Sequence, residues 1–182
     1  MKESESELAI GMRAGLSTAV HDAEAMLEEL YDRYGRSLYR FALSILGSPE
    51  DAEDAIQEVF IRIARDYRRL TRVENVKAYL FTATRNAAYS VLRTRQRGEQ
   101  LEQAVISEPI VMPRMEDVSV RSMILRTSLA ELPVEQREVV MLKVYGELTF
   151  QEIADLVGDA INTIYSRYRY AVEKMKRALG EG

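Results

Sequence analysis

Residues 48–72, SPEDAEDAIQEVFIRIARDYRRLTR, limit what this chain can fold into more than any other stretch. Ser48 offers a hydroxyl to cap the first amides of a helix, and Pro49 is preset for its first turn. Ala52, Ala55, Ile56, Val59, Ile63 and Tyr67 then follow at the three-and-four spacing of one buried stripe. The charges divide by sign along the same stretch. Glu50, Asp51, Glu53, Asp54 and Glu58 make the first half acidic; Arg62, Arg65, Arg68, Arg69 and Arg72 make the second half basic, against Asp66 alone. Acid at the N-terminus and base at the C-terminus suit the helix dipole, so a well-solvated surface helix explains part of the pattern. The alternative is one element that offers an acidic face to one partner and a basic face to another.

The charge segregation runs through the whole chain. Its 182 residues suffice for one medium domain or two small ones, and the net charge of −4 argues against a generic nucleic-acid binder. Yet residues 62–97 hold ten Lys/Arg against two Asp/Glu, and residues 165–177 hold five against one. With 47% hydrophobic and 30% charged residues the composition is that of a soluble globular protein. No apolar run approaches the ~20 residues that cross a bilayer, and no signal peptide is visible, so no membrane insertion is expected. The absence of cysteine excludes disulfides and thiolate metal sites and agrees with a cytoplasmic location.

Periodicity divides the rest. Residues 1–22 are polar and acidic, interrupted by Gly11 and Gly15, and read as a loosely ordered head. Leu27, Leu30, Tyr31, Tyr34, Leu38, Phe41 and Ile45 form a helical stripe closed by Gly47. After a break at 70–74, Asn75 caps a third helix with Val76, Leu80, Ala83, Ala87 and Val91 inward, so residues 23–97 make one helical domain. Residues 98–120 lose the period, carry Pro109 and Pro113, and read as an acidic flexible linker with an apolar patch at 105–112. Residues 121–182 resume it: Ile124, Leu125, Leu129 and Leu132 on one helix, then Val139, Val140, Leu142 and Val144 on another after Pro133. Thr149 and Glu152 have capping-box spacing before a short helix that ends at Gly158, and a longer arginine-bearing helix follows. That pair is a helix-turn-helix, so the fold class is all-α: two small helical domains joined by a linker.

Catalysis finds no support. The lone His21 lies in the head, no Gly-rich phosphate loop is present, and the carboxylates of 50–58 lack the turn or histidine partner of a metal site. No cofactor, metal or catalytic residue is expected.

Four segments in order, 31–47, DAEDAIQEVF, AYLFTATRN and REVVMLKVYGELTFQEIADLVGDAINTIYSRYRYAVEKMK, resemble the sigma-70 family of bacterial RNA polymerase specificity subunits, in its extracytoplasmic-function group. The resemblance implies a promoter-specificity subunit with core polymerase and promoter DNA as partners; an anti-sigma factor is usual in that group. Asp51, Asp54, Gln57 and Glu58, which share a helix face, then meet core polymerase. Leu70, Arg72, Lys77, Tyr79, Arg85, Asn86 and Arg93 fall on the loop and helix that capture an unstacked base and adjoining phosphates of the −10 element. Asn162, Thr163, Tyr165, Ser166, Arg167 and Arg169 open the helix that reads the −35 major groove. Two features depart from the family: Tyr79 stands where Trp is usual, and Asp159-Ala160 replaces a hydrophobic-Pro pair, with Asp159 a candidate helix cap.

Two rivals share these residues: a stand-alone helix-turn-helix regulator that binds operator DNA as a dimer, and a purely structural helical adaptor. The separation of charge further predicts that in the free chain the two domains or the linker partly cover the DNA-reading faces.

Overall fold

The computed structural model describes the backbone of residues 2–70, 72–99 and 120–180, and side chains at 23–70, 72–97 and 124–180. Eight helices and no strand occur among these residues: α1 Lys2–Leu46, α2 Pro49–Arg65, α3 Tyr67–Leu70, α4 Val76–Glu99, α5 Val120–Ala130, α6 Val134–Val144, α7 Phe150–Val157 and α8 Ile161–Ala178. Residues 100–119, which hold nearly all of the expected linker and its apolar patch, lie outside the described residues.

Local sequence accounts for most helix ends. The Ser48 hydroxyl accepts from the Asp51 amide at 3.3 Å, and Pro49 occupies the first turn of α2. Asn75 Oδ1 accepts from the Ala78 amide at 3.0 Å and caps α4. Thr149 and Glu152 close a full capping box, and Gly158, at φ 84°, takes the left-handed position that ends α7.

The backbone of residues 2–22 is helical and continuous with α1: no proline interrupts it, and its two glycines cost only about 1 kcal/mol each. Two expectations about helix ends are corrected. The helix of 48–72 ends at Arg65: Asp66 leaves helical geometry (φ −134°, ψ 48°), and Tyr67 and Leu70 belong to the separate turn α3. Asp159 does not cap α8. Ala160 holds that position without a side-chain bond, while the Asp159 carboxylate accepts from Arg167 at 2.6 Å.

The stripes of α1, α2 and α4 meet around Leu38, Phe41, Ala52, Val59, Leu80 and Phe81, all buried, with Phe41 and Phe81 packed edge to face at 5.5 Å. Two residues assigned to stripes lie outside the core. Tyr31 is 59% exposed, edge-on to Phe60 at the rim of a groove between α1 and α2; Val144, 55% exposed, is the last residue of α6.

The second domain packs on the first without a gap in the core. Helix α6 is the wedge: Arg137, Glu138, Val139, Val140, Met141 and Leu142 are consecutive and all buried. Val139, Met141 and Leu142 join the core of α1, α2 and α4, whereas Val140 joins a smaller cluster with Leu129, Leu132 and Ala171. The four apolar residues of the run serve both clusters, while Arg137 and Glu138 are buried charges. The turn after α6 presses on Phe81. A Cβ on Gly146 would stand 2.5 Å from the Leu142 carbonyl oxygen and 3.3 Å from the Phe81 ring, so only glycine fits there.

Candidate core-polymerase and promoter-DNA interfaces

The four acidic-face residues on α2 divide in two. Asp54 and Gln57 are exposed and make no side-chain bond with a described residue. Glu58 is exposed but accepts from Arg62 one turn on, at 2.6 Å. Asp51 is drawn inward instead and forms an ion pair with Arg95 of α4. Arg95 also donates to the Leu46 carbonyl at 3.4 Å, one of the orphan acceptors at the C-terminus of α1. Asp51 thus helps to hold the α1–α2 corner. Beside Gln57 lies a groove of about 880 Å³ between α1 and α2, lined by Tyr31, Tyr39, Ile56, Phe60 and Ile61. Sequence pattern missed this groove because Tyr31 looks like a core residue by spacing.

On α4, Tyr79, Asn86 and Arg93 recur every seven residues and share one face. Asn86 and Arg93 are exposed, Tyr79 is half-buried, and Asn86 bonds to no described residue. Arg72 is exposed in the preceding loop. Leu70, at 5% exposure, has its side chain in the core beneath that loop. Lys77 and Arg85 point to a different side of α4, toward the second domain. Lys77 donates to the Glu147 carbonyl at 3.2 Å. Arg85 donates through Nε to Glu138 Oε1 at 2.5 Å and stacks over the Tyr89 ring at 4.6 Å, and the Tyr89 hydroxyl lies 3.4 Å from Glu138 Oε2. Burial works against the charge of Arg85, but the hydrogen bond and charge of Glu138 outweigh it and hold its pKa above the usual value. Burial and the same carboxylate push the Tyr89 hydroxyl up.

Residues 137 and 138 were not among the candidates, yet they join the domains. Arg137 donates to the Ser44 carbonyl of α1 at 2.8 Å and to the Leu132 carbonyl at 3.1 Å. Ser44 contributes another orphan carbonyl of the α1 C-terminus, where a cation is favoured. Burial lowers the pKa of Arg137. The available signal was an Arg-Glu pair directly before the apolar run Val139–Leu142.

In the helix-turn-helix, Asn162, Thr163, Tyr165 and Arg169 are exposed at the start of α8, and Ser166 and Arg167 are half-buried. Ile164 and Ala171 anchor the helix from its buried side. Tyr165 rests edge-on against Phe150 of α7 with ring centroids 5.5 Å apart, which holds the two helices in register. The N-terminal turns of α8 thus present Asn162, Thr163 and Arg169 to solvent, with the exposed Tyr165 ring among them and Ile161 beside them.

Comparison with known proteins gives both halves a counterpart. Residues 30–98 match Sigma-70 region 2, and residues 122–175 match Sigma-70, region 4. The ECF RNA polymerase sigma factor SigL of Mycobacterium tuberculosis is 28% identical over 172 residues, spanning 92% of this chain and 97% of that one. The ECF RNA polymerase sigma factor EcfG of Rhodopseudomonas palustris is also 28% identical, over 79% of each chain. Among solved structures, the sigma factor RpoE of Bartonella quintana, in complex with the anti-sigma factor NepR, superposes with a TM-score of 0.74 at 27% identity, covering 86% of this chain and 98% of that one. CnrH, in complex with the cytosolic domain of CnrY, shares the fold with a TM-score of 0.61. With regions 2 and 4 in order and the helical architecture shared with solved relatives, this chain belongs to the sigma-70 family, as an RNA polymerase sigma factor of the extracytoplasmic-function group.

Proposed function

We propose that the three exposed faces divide the work of a sigma factor among named residues. Asp54, Gln57 and Glu58 of α2 meet core polymerase, with the adjoining groove adding apolar area to the same contact. Tyr79, Asn86 and Arg93 of α4, with Arg72, meet the −10 element. Asn162, Thr163, Tyr165, Ser166, Arg167 and Arg169 of α8 meet the −35 element. The observation that carries this reading is that Asp54, Gln57 and Asn86 are exposed, with no side-chain partner among the described residues, on a well-packed frame, as residues reserved for intermolecular contacts would be. The chain performs no chemistry itself and acts in the cytoplasm beside the polymerase. An anti-sigma partner is part of the proposal, supported by the NepR complex of the similar RpoE.

Reconstituted transcription tests the assignment. The double reversal Asp54→Arg, Glu58→Arg should lower association with core polymerase at least tenfold in pull-down. The fold should survive, because substitutions at solvated positions usually change stability by no more than about 0.5 kcal/mol. Unchanged core binding would remove α2 from the interface.

A further inference from the structure

The seam between the domains holds a pairing that the family assignment does not explain. Arg85 and Tyr89 lie one turn apart on α4, the guanidinium stacked on the ring, and both turn to the carboxylate of Glu138. Glu138 is 2% exposed and projects from α6, in the other domain. A cation beside an aromatic face is the local chemistry that takes single-stranded nucleic acid: the guanidinium takes a phosphate and the ring stacks a base. The group now at this spot carries the charge and the acceptor oxygens of a phosphate. Glu152 and Glu147 meet the start of the same helix, the first through Asn75 at 2.5 Å and the second through its backbone oxygen and Lys77.

We propose that Arg85 and Tyr89 form a subsite for one phosphate and one neighbouring base of a single DNA strand, and that Glu138 fills it in the closed chain as an internal stand-in for phosphate. The proposal rests on the reading that α4 faces the −10 element and adds two things to it. Tyr89 becomes a contact, and α6 becomes a competitor that must leave before the strand can enter. Closed and open chains then differ in affinity for DNA, as any such coupling requires.

The experiment measures binding of a fluorescent single-stranded oligodeoxynucleotide pool, about ten nucleotides long and of random sequence, to the full chain at two salt concentrations. Glu138→Gln keeps the shape of the side chain and removes its charge. It should tighten binding at least fivefold, the lower end of ordinary coupling between sites. One added phosphate contact should also steepen the salt dependence by about 0.7 in log–log slope. Adding Arg85→Met or Tyr89→Leu to Glu138→Gln should abolish most of the gain. Since the chain has no tryptophan, Tyr89→Trp supplies a unique fluorophore that a stacked base should quench, more strongly with Glu138→Gln. If Glu138→Gln loses its helical circular dichroism, Glu138→Asp is the second route, withdrawing the carboxylate from Arg85 by about one methylene. No gain in affinity overturns the proposal, and so does a gain that survives Arg85→Met and Tyr89→Leu. Failure of the underlying reading looks different: Asn86→Ala and Arg93→Ala would leave transcription by the reconstituted holoenzyme unchanged.

Discussion

The basic faces of α4 and α8 are handled in opposite ways. On α4, Arg85 is engaged by a buried carboxylate from the other domain, Lys77 by a backbone carbonyl of that domain, and Arg95 by Asp51 of α2. On α8, among the described residues, only Arg167 has a short ion pair, with Asp159 in the turn before the helix; Arg169 and Arg177 approach Glu173 no closer than 4.0 Å, and Lys174 donates to the Glu131 carbonyl at 2.8 Å. The first arrangement closes a domain boundary; the second leaves a basic helix in water. A chain of net charge −4 can therefore carry two basic helices and keep just one covered. The cover need not be strong. Desolvating a buried ion pair offsets much of its attraction, so the Arg85–Glu138 contact fixes where the domains meet more than how tightly. The apolar flank of α6 and the bond from Arg137 to the Ser44 carbonyl supply the adhesion.

Breaking that adhesion should produce the largest effect. Arg137→Met keeps most of the side-chain volume but strands the carbonyls of Ser44 and Leu132. Each unsatisfied buried acceptor costs about 1–3 kcal/mol. A total near 3 kcal/mol corresponds to a fall in Tm of roughly 6–12 °C for a chain of this size. Thermal unfolding of the full chain measures it. A loss under about 0.5 kcal/mol would show that α6 is held by apolar packing alone.

The open face calls for a sharper test. Arg167→Ala should weaken duplex promoter binding by the holoenzyme by about 1–3 kcal/mol if the guanidinium is bidentate to a base, with relaxed preference at one −35 position. A contact with phosphate alone would lower all sequences evenly and reduce the salt slope. Because α8 is not covered, its effect should add to that of Glu138→Gln within about 0.5 kcal/mol. Clear non-additivity would mean that the two faces are coupled after all.

The contrast also separates what was legible in the sequence from what was not. Ser48-Pro49, Asn75 and the Thr149–Glu152 box act within three residues of themselves, so their spacing announces them. The seven-residue recurrence of Tyr79, Asn86 and Arg93 is equally local. Arg137 and Glu138 are not legible in this way. Their partners lie 93 and 53 residues away, at Ser44 and Arg85, and nothing in a one-dimensional pattern joins them. Asp159 was misplaced by one position, because the left-handed turn at Gly158 makes Ala160 the first capping residue and leaves the carboxylate free to reach Arg167. The break at Asp66 puts Leu70 in a separate turn whose side chain reaches the core, while Tyr31, on the α1 stripe by spacing, lines the groove beside Phe60.

The smallest effect belongs to Glu152, which sits where the two faces adjoin. One oxygen closes the capping box of α7, accepting from the Thr149 amide at 2.7 Å and its hydroxyl at 2.8 Å, while the other accepts from Asn75 of the first domain. The backbone and hydroxyl bonds from Thr149 chiefly lower the pKa of Glu152, helped by Asn75 and the charge of Lys77. A carboxyl whose folded pKa is depressed contributes stability that is fully present above its unfolded pKa and disappears as pH falls through the folded value. Glu152→Gln keeps a side chain that can still close the box and removes only the charge. The wild-type chain should therefore be modestly more stable than Glu152→Gln at pH 7, and the difference should shrink as pH drops below the ordinary carboxylate value of 4.5. Added salt should reduce the share that comes from Lys77, which is screened by ions, and leave the share from Thr149. Urea unfolding of both chains between pH 7 and pH 3 checks this. A difference that stays constant across that range would show that the charge of Glu152 contributes nothing, either to the cap of the open face or to the edge of the covered one.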